Sequence, residues 1–190
     1  MESEHIENTI KKSARELFRK HGYNKTSMNT LASHANTSKA TIYKYFESKE
    51  GLLHAVLMDY IQDNVQDILN QSVQVSKLDV FFANIILKVS RVTYTVCNEF
   101  IGWDFIRESA NAQEYLRLLS EDLEFLLLSS FMNNELIAST IQEEKLTFLI
   151  KSSKNIVFSF AFTAVSDADV KKNFISFQKE ILPYLVQAAL

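Results

Sequence analysis

The chain has 190 residues, a formal net charge of −3, 47% hydrophobic residues, three glycines and one proline. This length allows one globular body or two closely packed domains, with a sizeable buried core. So few glycines and prolines leave little of the turn chemistry that a multi-stranded sheet requires, so the composition predicts an all-α protein.

The sequence also disfavours membrane-spanning, secreted and disulfide-stabilised classes. No uninterrupted apolar run approaches the roughly 18–20 residues that span a bilayer, and the longest, such as VFSFAFTAV, include serine or threonine. The N-terminal stretch MESEHIENTIKK opens with acidic residues and lacks the apolar segment of a secretory signal. The single cysteine, Cys97, agrees with a reducing compartment. We therefore expect a cytoplasmic protein that does not enter a membrane.

Charge is distributed unevenly along the chain. Residues 1–50 carry nine Lys or Arg and six Asp or Glu, a formal charge of +3, whereas the remainder carries −6. A basic N-terminal quarter on an acidic remainder indicates that this end alone meets a polyanion. An ordinary fluctuation of surface charge explains the count equally well. The residue pattern within the basic segment must therefore distinguish between these two explanations.

The first two predicted helices lie in this basic segment. Apolar residues at spacings of three and four, from Ile6 to Phe18, indicate an amphipathic helix over about 4–20. Gly22 suits the left-handed position after it, where glycine is favoured. The Thr-Ser pair at 26–27 can cap a second helix of about eight residues, because hydroxyl side chains accept from free backbone N–H groups.

The third predicted helix, over about 38–46, has a distinctive outer face. Asn36 suits the tight turn before it, and Ser38 or Thr37 can cap it. Ile42 and Phe46 are the residues placed to face a core. The side chains left to project outward are cationic, hydroxylated or aromatic: Lys39, Thr41, Tyr43 and Lys44. Two short helices joined by a tight turn and braced by a longer one predict a helix-turn-helix, whose second short helix fits the major groove of DNA.

The rest of the sequence predicts a helical body that brings the total to about nine helices. Apolar periodicity places them over about 48–71, 77–96, 98–108, 111–132, 142–165 and 168–188. Ser48 is placed to cap the first of these and Asp167 the last, which Pro183 kinks or ends late. The last two helices are apolar around much of their circumference, so we expect one face to pack on the chain itself and another on a partner.

The run GYNKTSMNTLASHANTSKATIYKYFESKEGLL resembles the N-terminal signature of the TetR family of one-component bacterial regulators. The shared features are Gly-Tyr after the first helix, Thr-Ser opening the second, Leu-Ala within it, Ser-Lys and Tyr in the third, and Tyr-Phe-x-Ser-Lys-x-x-Leu. The chain departs from the pattern at Asn36, where glycine is common, at Thr37, where a small hydrophobe is common, and at Ala40, where glycine or proline often occurs. The methyl group of Ala40 can contact a thymine methyl or clash with a base edge.

This resemblance implies a DNA-binding domain over residues 1–47 and an effector-binding and dimerisation domain over 48–190. It implies phosphate contacts from Thr26, Ser27, Lys44, Tyr45 and Lys49, and contacts with base edges or adjacent phosphates from Asn29, Lys39, Ala40, Thr41 and Tyr43. For individual side chains a plainer interpretation stays open, since the lysines can be ordinary solvated residues and Tyr45 can be a half-buried edge of the core.

The resemblance also implies a homodimer, joined through the helices over about 142–165 and 168–188 as a four-helix bundle. Two-fold symmetry presents two recognition helices and therefore predicts a palindromic operator in double-stranded DNA, with half-sites one helical turn or a multiple apart. We expect a repressor whose effector shifts the helix over 48–71 and so changes the separation of the recognition helices.

The expected effector site lies in the body, where aromatic residues are concentrated. Its predicted lining consists of Tyr94, Cys97, Phe100, Trp103, Phe125, Phe158 and Phe162. The sequence shows no obvious cluster of polar residues on an inward face, which favours a small apolar or aromatic effector. Aromatic residues at helical spacing also occur as ordinary core, and that alternative stays open.

Catalytic, cofactor and metal chemistry find no support in the sequence. The four histidines, His5, His21, His34 and His54, lack metal-ligand spacing. A glycine-rich phosphate loop is missing from the sequence, and Cys97 lies in an aromatic stretch typical of a buried small hydrophobe. We therefore predict a regulator without enzymatic activity, cofactor or metal. The alternative is an adaptor that keeps the fold and nonspecific DNA affinity but acts through a protein partner.

Overall fold

The computed structural model describes residues 2–71, 77–164 and 166–190, which form helices joined by short connections. In chain order the helices are α1 (Glu2–His21), α2 (Met28–His34), α3 (Lys39–Phe46), α4 (Lys49–Gln71), α5 (Leu78–Thr95), α6 (Trp103–Glu108), α7 (Ala110–Met132), α8 (Glu135–Ala138), α9 (Glu143–Thr163), α10 (Asp167–Ser176) and α11 (Leu182–Ala189). Two segments are π-helical: Val96–Ile101 continues α5, and Phe177–Ile181 joins α10 to α11.

The all-α prediction is confirmed, and the predicted helices are found close to their expected ends. Four details differ. The helix expected over 168–188 is interrupted by the π-helical segment Phe177–Ile181. The helix expected over 98–108 is divided at Gly102, where φ is +95°. The four-residue helix Glu135–Ala138 was not predicted. The cap of α10 is Ser166, whose Oγ accepts from the Asp169 N–H at 3.2 Å, rather than Asp167.

Serine caps fix the start of each helix in the N-terminal unit after α1. The Oγ of Ser27 accepts from the Thr30 N–H at 3.0 Å, and the Oγ of Ser38 accepts from the Thr41 N–H at 3.0 Å. At the start of α4 the Gly51 N–H donates to Ser48 Oγ at 2.8 Å. Each such cap stabilises a helix by about 1 kcal/mol, so the sequence itself determines where these short helices begin.

The body is built around α5, which packs against α4, α9 and α11, while α7 packs against α4 and α9. Its interior is rich in aromatic residues, and Phe82, Phe100, Phe131 and Phe177 are fully buried. Burying one such side chain contributes about 1.5–3 kcal/mol. The core continues from the N-terminal unit into the body, since α4 also packs against α1 and α3. The domain division at residue 47 stays a prediction.

Among the described helices, α5 with its π-helical continuation (Leu78–Ile101) is long and apolar enough, by length and composition, to cross a bilayer. Its most apolar window is 56% buried inside the protein. A helix that packs against three others on several sides is typical of the core of a folded domain. The apolar character of α5 is accounted for by this packing.

Gly51 lies where α4 passes close to the end of α3, and we expect Gly51→Ala to lower the free energy of unfolding. A Cβ at this position would meet the backbone carbonyl oxygen of Phe46 far inside van der Waals contact. Alanine favours a helix over glycine by about 1 kcal/mol, but overpacking against backbone costs about 1–3 kcal/mol or more. Urea unfolding should show a net loss of about 1–2 kcal/mol.

The matched control is Gln62→Ala, an exposed position on the same helix. It should change the free energy of unfolding by less than about 0.5 kcal/mol. A Gly51→Ala protein as stable as the wild type would contradict the close approach of α3 and α4.

Candidate nucleic-acid interface

The outward face of α3 carries the charged and aromatic residues of the candidate interface. Ile42 and Phe46 are buried beneath the helix. Lys39, Ala40, Tyr43 and Lys44 are exposed, and the Tyr43 ring is 45% exposed although it is a large aromatic residue. This division follows from the 3.6-residue period, since positions 42 and 46 share a face that the others do not. The result is a short helix with an anchored inner side and an open, cationic outer side.

Helices α1 and α2 hold α3 in place from behind. Ile10, Ala14 and Phe18 of α1 are buried, together with Leu31 and Ala32 of α2. The turn between α2 and α3 passes through Asn36 at φ +50°, a left-handed conformation that asparagine tolerates better than most residues. The missing glycine of the usual pattern is therefore replaced by a residue that adopts the same backbone conformation.

Thr26 does not lie in the surface that sequence reasoning expected. Its side chain is 3% exposed, and its hydroxyl donates to the carbonyl oxygen of Gly22 at 2.9 Å. A hydroxyl that closes the turn after α1 is not free to contact phosphate, so the geometry does not support the predicted phosphate role. Its neighbour Ser27 is exposed, although its Oγ caps α2 and lies 2.8 Å from Thr30 Oγ1.

Lys49 is held by the protein instead of extending into solvent. Its ammonium group donates to the carbonyl oxygen of Tyr23 at 2.7 Å and lies 4.1 Å from the centroid of the Tyr23 ring. Burial lowers the pKa of Lys49. Burial also raises the pKa of Tyr23, as does the hydrogen bond that its hydroxyl donates to Glu50. These contacts tie the start of α4 to the turn after α1.

The other predicted contact residues fall into two groups. Asn29 is exposed on α2. Thr41 and Tyr45 are half-buried: Thr41 Oγ1 lies 2.8 Å from Ser38 Oγ, and Tyr45 packs on the core with its hydroxyl 3.0 Å from Ser3 Oγ. The structure therefore brings together Ser27, Asn29, Lys39, Ala40, Tyr43 and Lys44 as exposed candidates for contact with DNA.

Comparison with known families agrees with this geometry. Residues 10–56, from α1 through the first turns of α4, match the family model for bacterial regulatory proteins of the tetR family. This N-terminal part of the chain is therefore similar to the DNA-binding region of tetR-family regulators. The family consists of transcription regulators rather than enzymes.

One relative found by sequence adds to this result. The HTH-type transcriptional regulator YuxN of Bacillus subtilis (strain 168), an uncharacterized protein, is 41% identical over 64 residues, which cover 34% of this chain and 22% of YuxN. The chain thus matches only about a fifth of that relative's length.

Two solved structures share the whole fold. The TetR family repressor AlkX from Dietzia sp. strain DQ12-45-1b, implicated in biodegradation of n-alkanes, superposes with a TM-score of 0.60 at 18% identity, covering 97% of each chain. RolR in complex with resorcinol superposes with a TM-score of 0.60 at 20% identity, covering 99% of this chain and 94% of RolR. At these identities the likeness establishes the fold of this chain alone.

The N-terminal unit of this chain is joined to its body by polar contacts. The Arg19 guanidinium donates through Nε and Nη2 to Oε2 of Glu99, at 2.9 and 2.6 Å. The backbone N–H of Tyr23 donates to the carbonyl oxygen of Phe100 at 2.8 Å. Both acceptors lie in the π-helical segment after α5. Sequence reasoning missed this connection because no local pattern pairs residues 80 positions apart.

The residues predicted to line an effector site lie in different environments. Tyr94 packs on Trp103, with ring centroids 5.9 Å apart, and Phe125 is 77% exposed on α7. Cys97, Phe100 and Phe158 are buried in the core, and the side chain of Phe162 lies outside the described residues. Burial raises the pKa of the Cys97 thiol to about 12. Phe125 is therefore not part of the interior that these aromatic residues were expected to form.

An enclosed cavity of about 10 Å³ lies instead between α5, α7 and α9. That volume is close to the room one water molecule needs. Apolar residues and the hydroxyl groups of Ser90, Thr93 and Ser153 line it, and the Ser153 hydroxyl has no hydrogen-bond partner among the described residues. Lys154 also lines this enclosed cavity, with its ammonium group on Glu124 Oε2 at 2.8 Å. The signal in the sequence that could have indicated this cavity is the pair of hydroxyl residues, at positions 90 and 93, on the apolar face of α5.

Proposed function

We propose that this chain is a TetR-family transcriptional repressor that binds a palindromic operator as a homodimer and is released by a small apolar or aromatic effector. The observation that carries the proposal is the open outer face of α3, where Lys39, Tyr43 and Lys44 are exposed while Ile42 and Phe46 anchor the helix from behind. A short helix presented in this way fits the major groove, with its first residues toward the base edges.

Within this face we assign different roles to individual side chains. Lys39, Ala40 and Tyr43 approach base edges, where lysine can bond to guanine and a methyl group can contact thymine. Lys44, Ser27 and Asn29 approach phosphates on either side, which fixes the register of the helix on the duplex. Thr41 and Tyr45 contribute from half-buried positions. Lys49 acts indirectly by holding the start of α4 against Tyr23.

The homodimer is supported by large apolar side chains on the outer faces of adjacent helices. Phe125 on α7 and Tyr184 on α11 are 77% and 71% exposed, and Phe148 on α9 and Ile175 on α10 are also exposed. Both α7 and α11 pack against α9. Exposed apolar surface on this scale is typical of a protein interface. We therefore include the outer face of α7 with the helices α9 to α11 in the dimer interface.

An ion pair and a hydrogen bond indicate that the outer faces of α7, α9 and α11 lie next to each other. Lys151 of α9 lies 3.1 Å from Oε1 of Glu124, the residue before Phe125, and Phe148 precedes Lys151 by one turn. On the other flank of α9, the Lys145 ammonium donates to the Leu190 carbonyl oxygen at 3.3 Å, beyond the end of α11. Phe125, Phe148 and Tyr184 thus belong to neighbouring surfaces that one partner can cover.

The effector site is proposed at the enclosed cavity between α5, α7 and α9. Its size requires these helices to separate when a ligand enters, and its unpaired Ser153 hydroxyl offers a hydrogen bond to a polar group on an otherwise apolar ligand. The structure of RolR with resorcinol supports a small aromatic ligand bearing hydroxyl groups as compatible with this fold.

Two sets of contacts would transmit a separation of α5 from its neighbours to the DNA-binding unit. Helix α4 packs on α5 and on α1, and the π-helical end of α5 holds Arg19 and Tyr23. A small rotation changes the distance between the two recognition helices, so both half-sites are no longer engaged together. Losing simultaneous engagement removes the gain in effective concentration that a dimer has on a palindrome.

The decisive experiment is selection of tight binders from a random duplex DNA pool at near-physiological salt. We expect one palindrome to be enriched, because two symmetric recognition helices read two inverted half-sites. Binding without enrichment, falling steeply with salt, would mean phosphate contact only and would favour the adaptor that acts through a protein partner. The selected palindrome then serves to screen small apolar and aromatic compounds for release.

A further inference from the structure

A second cavity lies at the junction of the N-terminal unit and the body, and the proposed function does not use it. This junction cavity has a volume of about 530 Å³, within the range of small-molecule sites. The end of α1, the turn that follows it, the π-helical end of α5, the start of α6 and the first residue of α10 form its walls. It is separate from the enclosed cavity between α5, α7 and α9.

Two cationic side chains in the walls of the junction cavity, Arg19 and Lys25, have hydrogen-bonding capacity that the described residues do not use. Arg19 uses two N–H groups on a single oxygen of Glu99, and a guanidinium carries five. Lys25 forms no ion pair within the part of the chain that the structure describes. The indole N–H of Trp103, which is 3% exposed, has no acceptor among the described residues. This N–H has no accessible surface, so the donors that a ligand in the cavity can reach are those of Lys25 and Arg19.

Two carboxylates, those of Glu99 and Asp167, also lie in the walls, which makes the formal charge of these four side chains zero. Glu99 is neutralised by Arg19 at 2.6 Å. Asp167 is the first residue of α10, where the positive end of the helix dipole stabilises a negative charge. Lys25 therefore remains as a cationic group without a bonded counterion among the described residues. Phe105 and Trp103 add aromatic surface to the same walls.

We infer that the junction cavity binds a small organic anion, an aromatic carboxylate, with the carboxylate toward Lys25 and Arg19 and the ring beside Phe105 and Trp103. A ligand here contacts α1 and the body at once. Its binding is therefore linked to their relative orientation, and so to the placement of the recognition helix. The site lets the regulator respond to an anionic ligand in addition to the apolar effector proposed for the enclosed cavity.

The chain's single tryptophan, Trp103, makes the test direct, because its fluorescence reports on a wall of the cavity. The whole chain is titrated with benzoate, and in parallel with benzyl alcohol as its neutral analogue and with inorganic phosphate at matched ionic strength. We expect a saturable change with benzoate alone. Lys25→Gln should weaken benzoate binding at least tenfold, whereas Lys20→Gln, an exposed position outside the cavity walls, should bind as the wild type does.

Three results would overturn the inference. The first is the absence of a saturable benzoate response, and the second is an equal response to benzyl alcohol or phosphate. The third is benzoate binding that survives Lys25→Gln but is lost in Ser153→Ala, which would assign the ligand to the enclosed cavity. Because the titration contains no DNA, its failure would leave the proposed repressor function untouched, and failure of the DNA selection would leave this site untouched.

Discussion

Replacing Lys39 by alanine should weaken binding to the selected palindrome by at least about 30-fold, since each of two symmetric copies loses a contact worth about 1–3 kcal/mol. Lys39 is exposed at the first position of α3, where a recognition helix meets base edges. Its removal leaves Ser38 as the cap and Ile42 and Phe46 as the anchors, so the helix itself should persist. Titration of a labelled duplex at fixed salt measures the effect.

The matched control for this change is Lys12→Ala, which removes the same charge from an exposed position on α1. It should alter affinity for the palindrome only slightly. Measurement on random duplex of the same length separates two roles of Lys39. A loss confined to the palindrome identifies a base contact, whereas an equal loss on both duplexes with a smaller salt slope identifies a phosphate contact. Unchanged affinity on both would remove Lys39 from the interface.

Tyr184→Asp should convert the proposed homodimer into monomers and reduce affinity for the palindrome by roughly 100-fold or more, because the second half-site is no longer engaged at high effective concentration. The Tyr184 side chain is 71% exposed in the single chain, so the change should not disturb the fold of the protomer. In the dimer, however, it would bury a carboxylate without a partner, which is strongly unfavourable. Sedimentation gives the mass and a duplex titration gives the affinity.

Leu78→Asp is the control for the dimer, since Leu78 is also exposed and apolar but begins α5, outside the faces of α7, α9, α10 and α11. It should leave both the mass and the palindrome affinity unchanged. A duplex with a single half-site should bind the wild type and the Tyr184→Asp protein with similar per-protomer affinity. A Tyr184→Asp protein that sediments as a dimer would show that the interface lies elsewhere.

Local patterns account for the parts of this chain that the sequence predicted well. Ser27, Ser38 and Ser48 each bond to a backbone N–H three residues ahead, and such contacts depend on the chain only within one helical turn. Ile42 and Phe46 fall on one face of α3 by helical period alone, which left Lys39 and Tyr43 outward. The nine residues 38–46 were therefore sufficient to predict which side of α3 is exposed.

The positions that sequence reasoning misplaced depend on which helices meet. Helix α7 is apolar on more than one side, so period alone could not decide whether Leu127 or Phe125 faces the core; contact with α4 and α9 buries Leu127 and leaves Phe125 exposed. The resemblance implied a phosphate contact for Lys49, but its ammonium group donates to the Tyr23 carbonyl oxygen and lies 4.1 Å from the centroid of the Tyr23 ring, a contact that depends on how the turn after α1 meets α4.

By itself, the sequence determined the helical class, the starts of the short helices and the outward face of α3, because each follows from interactions within a few residues. The tertiary structure alone decided the Lys49–Tyr23 contact, the Arg19–Glu99 contact and the two cavities. These arise where segments distant in the chain come together, and their free energy depends on shape, burial and charge on both sides of the contact.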